Sequence, residues 1–259
     1  MEQSQSILTR GVFPSFWLKR IAVVSMVIDH IGSILLDGVL APYRVGDTIV
    51  FTEDMPFFVR NAPAIKALCE ALCSAAFPLF CFLLVEGASH TFNRARYALR
   101  LGVFALLSEI PFDLAHFGRA FDFSLQNVMF TLLVGLCLLM GLSEIERRKF
   151  IMGAYSLSRA NAALVVLACA AAFLLRGEYV FLGPMSIFLM YLGRKNRFGR
   201  LLGLLPLFIA SPWVLLAAPF LLLYDGTRGT GSQYFFYVFY PAHFLALYGL
   251  ALLLSGRPV

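Results

Sequence analysis

Charge is scarce in this chain of 259 residues, where Asp, Glu, Lys and Arg together make up 14%, against about 25% in soluble domains. No polar stretch longer than about 25 residues interrupts it, so no water-soluble domain separates from the rest. Catalytic signatures are missing too. There is no P-loop, no GxGxxG and no GxSxG elbow, which removes the common nucleotide, dinucleotide and α/β-hydrolase readings, and no CxxC, CxxH or HExxH spacing, which leaves metal binding open but weakly supported. The five cysteines (Cys69, Cys73, Cys81, Cys137, Cys169) are odd in number and lie in apolar runs, so they read as packing residues. No internal repeat of the kind found in inverted-repeat carriers is visible. Lys19 and Arg20 precede an apolar run, but that run carries Asp29 and His30 and no small-x-small site follows, so no cleaved leader is expected.

What remains is apolar length. The chain is 60% hydrophobic with 26 Phe, and only a bilayer accommodates that composition. The expected fold is all-α: a polytopic transmembrane helix bundle forming one domain over 1–259. A span needs about 20 helical residues. Candidates lie near 19–40, 66–89, 95–115, 126–143, 161–176, 178–193, 199–210, 211–224 and 234–255, about nine in a range of eight to ten. The pair around Pro206, Pro212 and Trp213 is short for two crossings and reads alternatively as a re-entrant hairpin or one kinked helix. Lys and Arg cluster at Arg10, Lys19 and Arg20, at Arg94, Arg96 and Arg100, at Arg147, Arg148, Lys149 and Arg159, and at Arg194, Lys195, Arg197 and Arg200. By the positive-inside rule these face the cytoplasm, with the N-terminal segment 1–17. The loop 41–65 with Asp47, Glu53 and Asp54, the segment 116–125 with Asp122, and the turn at Arg176 and Glu178 then fall outside. The net charge of +6 suits an anionic partner or the setting of topology and decides nothing by itself; no nucleic-acid partner is expected.

Ionisable groups inside spans are costly and mark functional candidates: here Asp29, His30, Asp37, Glu86, His90, Glu109 and Asp113. Lys19 and His30 are eleven residues apart, three helical turns plus about 20°, so they share a face with Met26, Ser33 and Asp37. His30 lies roughly 16 Å beyond Lys19 along the axis. A phosphate held at Lys19 would let an acyl arm reach His30, whose ordinary pKa near 6.5 suits a general base; the competing reading of His30 is a hydrogen bond to a neighbouring helix. Asp29 sits about 100° around the helix and should face another helix. Glu86 and His90 are four apart, as are Glu109 and Asp113. The carboxylate pair calls for a cation between them, from Lys19, Arg94, Arg100, a histidine or a metal, and catalysis and a structural charge network are both open. Gln126, Asn127 and Thr131 open the fourth span, where an amide would either orient substrate or join helices. His243 follows Pro241 in the last span and reads as structural on its own.

The blocks Leu18-Lys19-Arg20-Ile21-Ala22 through Ile28-Asp29-His30-Ile31-Gly32, Phe77-Pro78-Leu79-Phe80 through Glu86-Gly87-Ala88-Ser89-His90-Thr91, and Ser108-Glu109-Ile110-Pro111-Phe112-Asp113 resemble the TraX family. So do Gln126-Asn127-Val128 and Phe235-Phe236-Tyr237-Val238-Phe239-Tyr240-Pro241-Ala242-His243, in family order along the whole chain. The family is named for the acetylase that N-acetylates the F-pilin subunit of conjugation systems. The resemblance implies a multi-pass acetyltransferase of the bacterial inner membrane that uses acetyl-CoA as co-substrate, with no metal. It is distantly similar to the membrane acyltransferases that modify cell-surface glycans and to lysosomal heparan glucosaminide N-acetyltransferase; the former carry a basic residue, ten intervening residues and a histidine, the spacing of Lys19 and His30. Two departures stand out: Cys73-Ser74-Ala75-Ala76 where the family often has an arginine, and Glu178-Tyr179-Val180 where it has Asp-Tyr-Gly.

The resulting expectation has Lys19, Arg94, Arg100 and Arg228 binding the phosphates of acetyl-CoA and His30 acting as base. Asp29, Asn127, His90 and His243 are further catalytic candidates, with Asn127, Tyr240 or His243 polarising the thioester carbonyl. Glu86, Glu109 and Asp113 hold His90 and the arginines. The acceptor is an amine, such as the N-terminus of a pilin-like or other peptide, or a hydroxyl. The alternative class is a proton-coupled transporter using the same intramembrane Asp/Glu/His network.

Overall fold

The structure is a computed structural model and describes residues 11–45, 48–49, 55–148, 154–229 and 233–255. Arg10, Asp47, Glu53, Asp54 and Lys149, and with them parts of the segment 1–17 and the loop 41–65, lie outside the described residues.

The first long helix starts at Ser15, since Pro14 is extended (φ −67°, ψ 160°) and cannot continue it backwards. It comprises α1 (Ser15–His30), a π-helical segment (Ile31–Leu35) and α2 (Leu36–Leu40). Ser15, Leu18, Ala22, Met26 and His30 form its buried stripe, the three-and-four spacing of a helix face. A short 3₁₀ turn leads to a hairpin of β1 (Arg44–Val45) and β2 (Thr48–Ile49), and then α3 (Phe57–Arg60) follows. α4 (Ala62–Cys73) and α5 (Ala76–His90) make one apolar run of 29 residues. α6 (Arg94–Phe117) is capped by the Asn93 side chain, which accepts from the Arg96 amide at 2.9 Å, and ends on Gly118 at φ 64°, the left-handed stop that glycine tolerates. α7 (Val128–Arg147) and α8 (Ala154–Leu174) follow, and then the shorter α9 (Leu182–Gly193).

Among the described residues, five helices are long and apolar enough to cross a membrane: Ser15–Tyr43, Ala62–His90, Val128–Arg147, Ser156–Leu174 and Phe235–Leu254. With α6, 24 residues long but carrying Arg100, Glu109 and Asp113, they make a polytopic membrane bundle. Of the readings open for 199–224, two short crossings, a re-entrant hairpin or one kinked helix, the structure shows a half-length hairpin. Its first arm is the 3₁₀ turn Gly199–Gly203 and α10 (Leu204–Phe208), and its second is the 3₁₀ turn Pro212–Ala217 and α11 (Ala218–Leu222). Neither arm reaches across about 30 Å of hydrocarbon at about 1.5 Å per residue. Ser211 is extended (φ −154°) and Pro212 restarts the second arm, which explains the reversal.

α12 (Gln233–Ser255) closes the bundle. It runs parallel to α1, because Lys19 lies 5.9 Å from the Phe236 ring while His30 meets His243. It also runs parallel to α6, through the ring pairs Phe104–Tyr237 (5.0 Å) and Phe112–Phe244 (5.5 Å). Phe112 and Phe244 are fully buried between these helices, and Phe82 of α5 is fully buried against Tyr224.

The π segment changes one expectation. Its wider turn shifts the register after His30, so Asp37 turns toward α4 and meets Lys66 at 3.0 Å, and the Ser33 hydroxyl is buried without a partner. Gly32 makes the approach to α4 possible, as a Cβ there would stand 2.8 Å from Cβ of Cys69.

The turn from α9 into the hairpin depends on Gly193, where a Cβ would collide with the Gly199 carbonyl group. Gly193→Ala is expected to lower stability by about 1–3 kcal/mol, read as a reduced Tm of the purified protein in detergent; an unchanged Tm would mean that the turn relaxes freely.

Candidate functional site

At the end of the bundle that carries Arg94, Arg100 and Arg147, hereafter the basic end, a cavity of about 410 Å³ opens between α1, α5, α6, α7 and α12, within the roughly 300–1,000 Å³ usual for small-molecule sites. Lys19, Arg100 and Arg228 line it, and among the described residues none of the three is in an ion pair. Lys19 and Arg228 are close enough to repel. Nε of Arg100 is buried with no hydrogen-bond partner. The one carboxylate in the wall, Glu86, is already engaged: Nε2 of His90 lies 3.5 Å from it, and the Tyr224 hydroxyl donates to it at 3.1 Å. Uncompensated cations facing an enclosed space suit an anionic ligand.

The floor of the cavity includes Met26, Met129 and Tyr240. Directly past Tyr240, whose ring centre is 5.5 Å from that of His243, three of the chain's four histidines converge. Nδ1 of His30 is 2.7 Å from Nε2 of His243, and the ring of His116 stands edge-on to His30 at 6.0 Å. His30 and His243 are buried, at 7% and 6% exposure, while His116 is half-buried. Phe112 and Phe244 pack against the rings. Backbone carbonyls assign the tautomers. Nδ1 of His243 lies 3.2 Å from the Phe239 carbonyl oxygen, which can only accept, so that nitrogen carries the hydrogen and its Nε2 is bare. His30 then donates Nδ1–H to it, leaving Nε2 of His30 as a free lone pair. The same argument applies to His116, whose Nδ1 faces the Phe112 carbonyl at 3.1 Å. Among the described residues no group of three His, Cys, Asp or Glu is arranged to hold a metal.

The remaining candidates separate from this centre. Asn127 is fully buried and spends its amide on structure. Its Nδ2 donates to the Ala105 carbonyl at 2.9 Å and to the Glu109 carboxylate, while Oδ1 accepts from the Met129 amide as the cap of α7. It therefore has no free donor for a thioester carbonyl. Glu109 and Asp113 share no cation either: Glu109 holds Asn127, and Asp113 accepts the Asp122 amide at 2.8 Å. Both anchor the loop between α6 and α7 instead of holding His90 or the arginines. In that loop Arg119 lies 2.7 Å from Asp122, and the Ser124 hydroxyl and amide bond to the same carboxylate. These contacts hold the Asp122 carboxyl below the usual carboxylate range. Arg94 does not line the cavity; it donates to the Ala88 carbonyl at 2.8 Å and to the Ser143 hydroxyl, tying α5 to α7. Asp29 faces away from His30, toward Lys66 and Glu70 of α4.

A family model described as TraX protein matches residues 15–251. The chain belongs to the TraX family. No curated protein and no solved structure matches it. The matched stretch runs from the first residue of α1 into the last turns of α12, so the cavity and the histidine cluster are both made by the TraX region.

His116 of this TraX chain is not among the expected site residues, because a third span ending at residue 115 leaves it in a loop, whereas α6 runs on to Phe117. Its spacing was a usable signal: it lies three residues after Asp113 and seven after Glu109, on the face already marked as polar. Tyr97, Tyr224 and Tyr237 were also passed over, since an aromatic in an apolar helix carries no mark of the cavity it will line.

If Asn127 caps α7 and holds Glu109, Asn127→Ala should cost about 2–4 kcal/mol, from a lost cap and a buried carboxylate left short of a donor. Thermal unfolding in detergent checks this; an unchanged Tm with lost activity would return Asn127 to the catalytic candidates.

Proposed function

We propose that this chain is an integral membrane acetyltransferase that moves an acetyl group from acetyl-CoA to an amine, such as the N-terminus of a pilin-like or other peptide, or to a hydroxyl, with the basic end turned to the cytoplasm of the bacterial inner membrane. The observation that carries this reading is an unpaired cation cluster around an apolar-floored cavity, with the buried His30–His243 pair lying behind the lining residue Tyr240 instead of in the cavity wall. The residues fit the co-substrate: Lys19, Arg100 and Arg228 meet its phosphates, with the unpartnered Nε–H of Arg100 as a ready donor, and Met26 and Met129 border the path of its thioester arm.

Transfer then needs few groups. Nε2 of His30 takes a proton from the acceptor nitrogen or oxygen as it attacks the thioester carbonyl, and the carbon–sulfur bond breaks to release the CoA thiol. His243 acts through His30, because its bare Nε2 holds the ring in the tautomer that leaves the reacting nitrogen unprotonated and stabilises the imidazolium once it forms. The Tyr240 hydroxyl is buried without a hydrogen-bond partner and stands between cavity and histidines, so it is the donor best placed to polarise the carbonyl.

The transporter alternative draws on Asp29 and Glu178, carboxylates in electrostatic contact that make no hydrogen bond or ion pair among the described residues. It expects solute flux in proteoliposomes without CoA.

Calorimetric titration of acetyl-CoA into the protein in detergent tests the reading. Lys19→Ala should weaken saturable binding roughly 10- to 100-fold, the scale of one charge-assisted hydrogen bond. His30→Ala should leave binding near wild type and lower turnover by about 10²- to 10⁴-fold. No binding to folded wild-type protein would sink the transferase and favour the transporter.

A further inference from the structure

We propose that His116, with the Asp37–Lys66 pair behind it, carries the net proton of the reaction from His30 to the end of the bundle opposite the cations. The inference rests on the acetyltransferase reading. Transfer to an ammonium acceptor balances as R–NH3+ plus acetyl-S-CoA giving R–NH–acetyl plus CoA-SH plus one proton. The nitrogen–carbon bond forms and the carbon–sulfur bond breaks. Of the two protons leaving nitrogen, one ends on sulfur and the other is surplus. Nothing is oxidised or reduced. His30 and His243 are almost wholly buried, so the surplus proton has to leave through a neighbour before the next turnover.

Two directions are open. Toward the cavity, once CoA has left with its phosphates, it would approach Lys19, Arg100 and Arg228, three positive charges without ion-pair partners among the described residues, and like charge opposes that path. In the other direction stands His116, its ring centre 6.0 Å from that of His30 with the planes nearly perpendicular (88°). Because the Phe112 carbonyl occupies its Nδ1–H, its Nε2 is bare and able to receive a proton. Unlike the other two histidines it is only half-buried. Asp37 lies within electrostatic reach of it, and Lys66 holds Asp37 through both carboxylate oxygens at 3.0 Å. These two side chains are 30% and 31% exposed, so the line runs from a sealed centre to an open pair. The charged and titratable groups facing His116 are His30 and Asp37 from the first long helix and His243 from α12; on its own helix, Asp113 is turned to the Asp122 amide. Of these only Asp37 is an acid, and it lies on the outward side.

The test uses the full chain in proteoliposomes. Acetyl-CoA does not cross a bilayer, so adding it outside addresses only molecules whose basic end faces out, and the lumen then bathes the opposite end. Transfer of labelled acetyl to a short apolar peptide with a free N-terminus, and to dodecylamine, is followed at constant external pH with the membrane potential clamped. Lowering the lumen from about pH 8 to about pH 6, across the ordinary range of a histidine, should slow wild-type protein about tenfold. His116→Gln keeps a donor for the Phe112 carbonyl but cannot titrate; its rate should be at least about tenfold lower, flat against lumenal pH, and partly restored by imidazole in the lumen. Asp37→Asn in the same assay should weaken the lumenal response, and serves if the first variant does not fold. A rate that follows external pH alone, or a His116→Gln response identical to wild type, would overturn the route and leave the transferase standing. Absence of transfer to either acceptor by protein that binds acetyl-CoA would overturn both.

Discussion

Hydrocarbon offers no hydrogen bonds, so every polar group that this bundle draws inside must be answered by another part of the chain. Most are. Asn127 answers Ala105, Glu109 and Met129 at once, Asp113 answers the Asp122 amide, the Ser186 hydroxyl answers the Gly203 carbonyl at 2.6 Å, and Ser15 answers the carbonyl of Arg228 at 2.7 Å. The Asn127 cluster matters most for architecture. By binding α6 at Ala105 and Glu109, well short of its end, it starts α7 part-way along α6 and obliges the loop 118–127 to fold back along the bundle. The exceptions are informative for the same reason. Buried atoms without partners include Nε of Arg100 and the Tyr240 hydroxyl, both at the cavity, where a ligand would complete what the protein leaves open.

Three parallel helices bring the chemistry together. α1 contributes Lys19 and His30, α6 contributes Arg100 and His116, and α12 contributes Tyr240 and His243. Parallel running places the cationic residues toward one end and the histidines deeper, about three turns from Lys19 along α1 and more than four from Arg100 along α6, a layered order that antiparallel neighbours would have inverted. The π segment begins at the residue after His30. It lets one helix present His30 to the histidine cluster and still turn Asp37 toward Lys66.

The membrane class, the long spans and the Lys19–His30 face were legible because they depend on composition and on local helical period, which are properties of the chain alone. Glu86 with His90 was legible for the same reason, being four residues apart on one helix. The carboxylates Glu109 and Asp113 were found but misread. Their spacing is local, whereas their partners, the Asn127 amide and the Asp122 backbone, are supplied by a loop that folds back. The His30–His243 bond joins residues 213 positions apart, and nothing periodic announces it; the resemblance of both blocks to one family was the signal that placed both among the candidates. The span count stays a range where helices are short. An apolar run of ten residues looks the same in sequence whether it joins a full crossing or turns back, and Ser211 and Pro212 decide the matter through backbone geometry.

The half-length hairpin also affects the lipid. α12 has 23 residues and would extend about 35 Å, while α9 has 12 and would extend about 18 Å, and each arm of the hairpin reaches about as far as α9. The flank formed by α9 and the hairpin therefore presents a much thinner apolar belt than the flank formed by α12. Acyl chains bordering the short side must tilt or compress to meet it, at a cost that grows with each ångström of mismatch. Among the described helices, the apolar height is thus uneven around the bundle, lower on the hairpin flank than on the α12 flank.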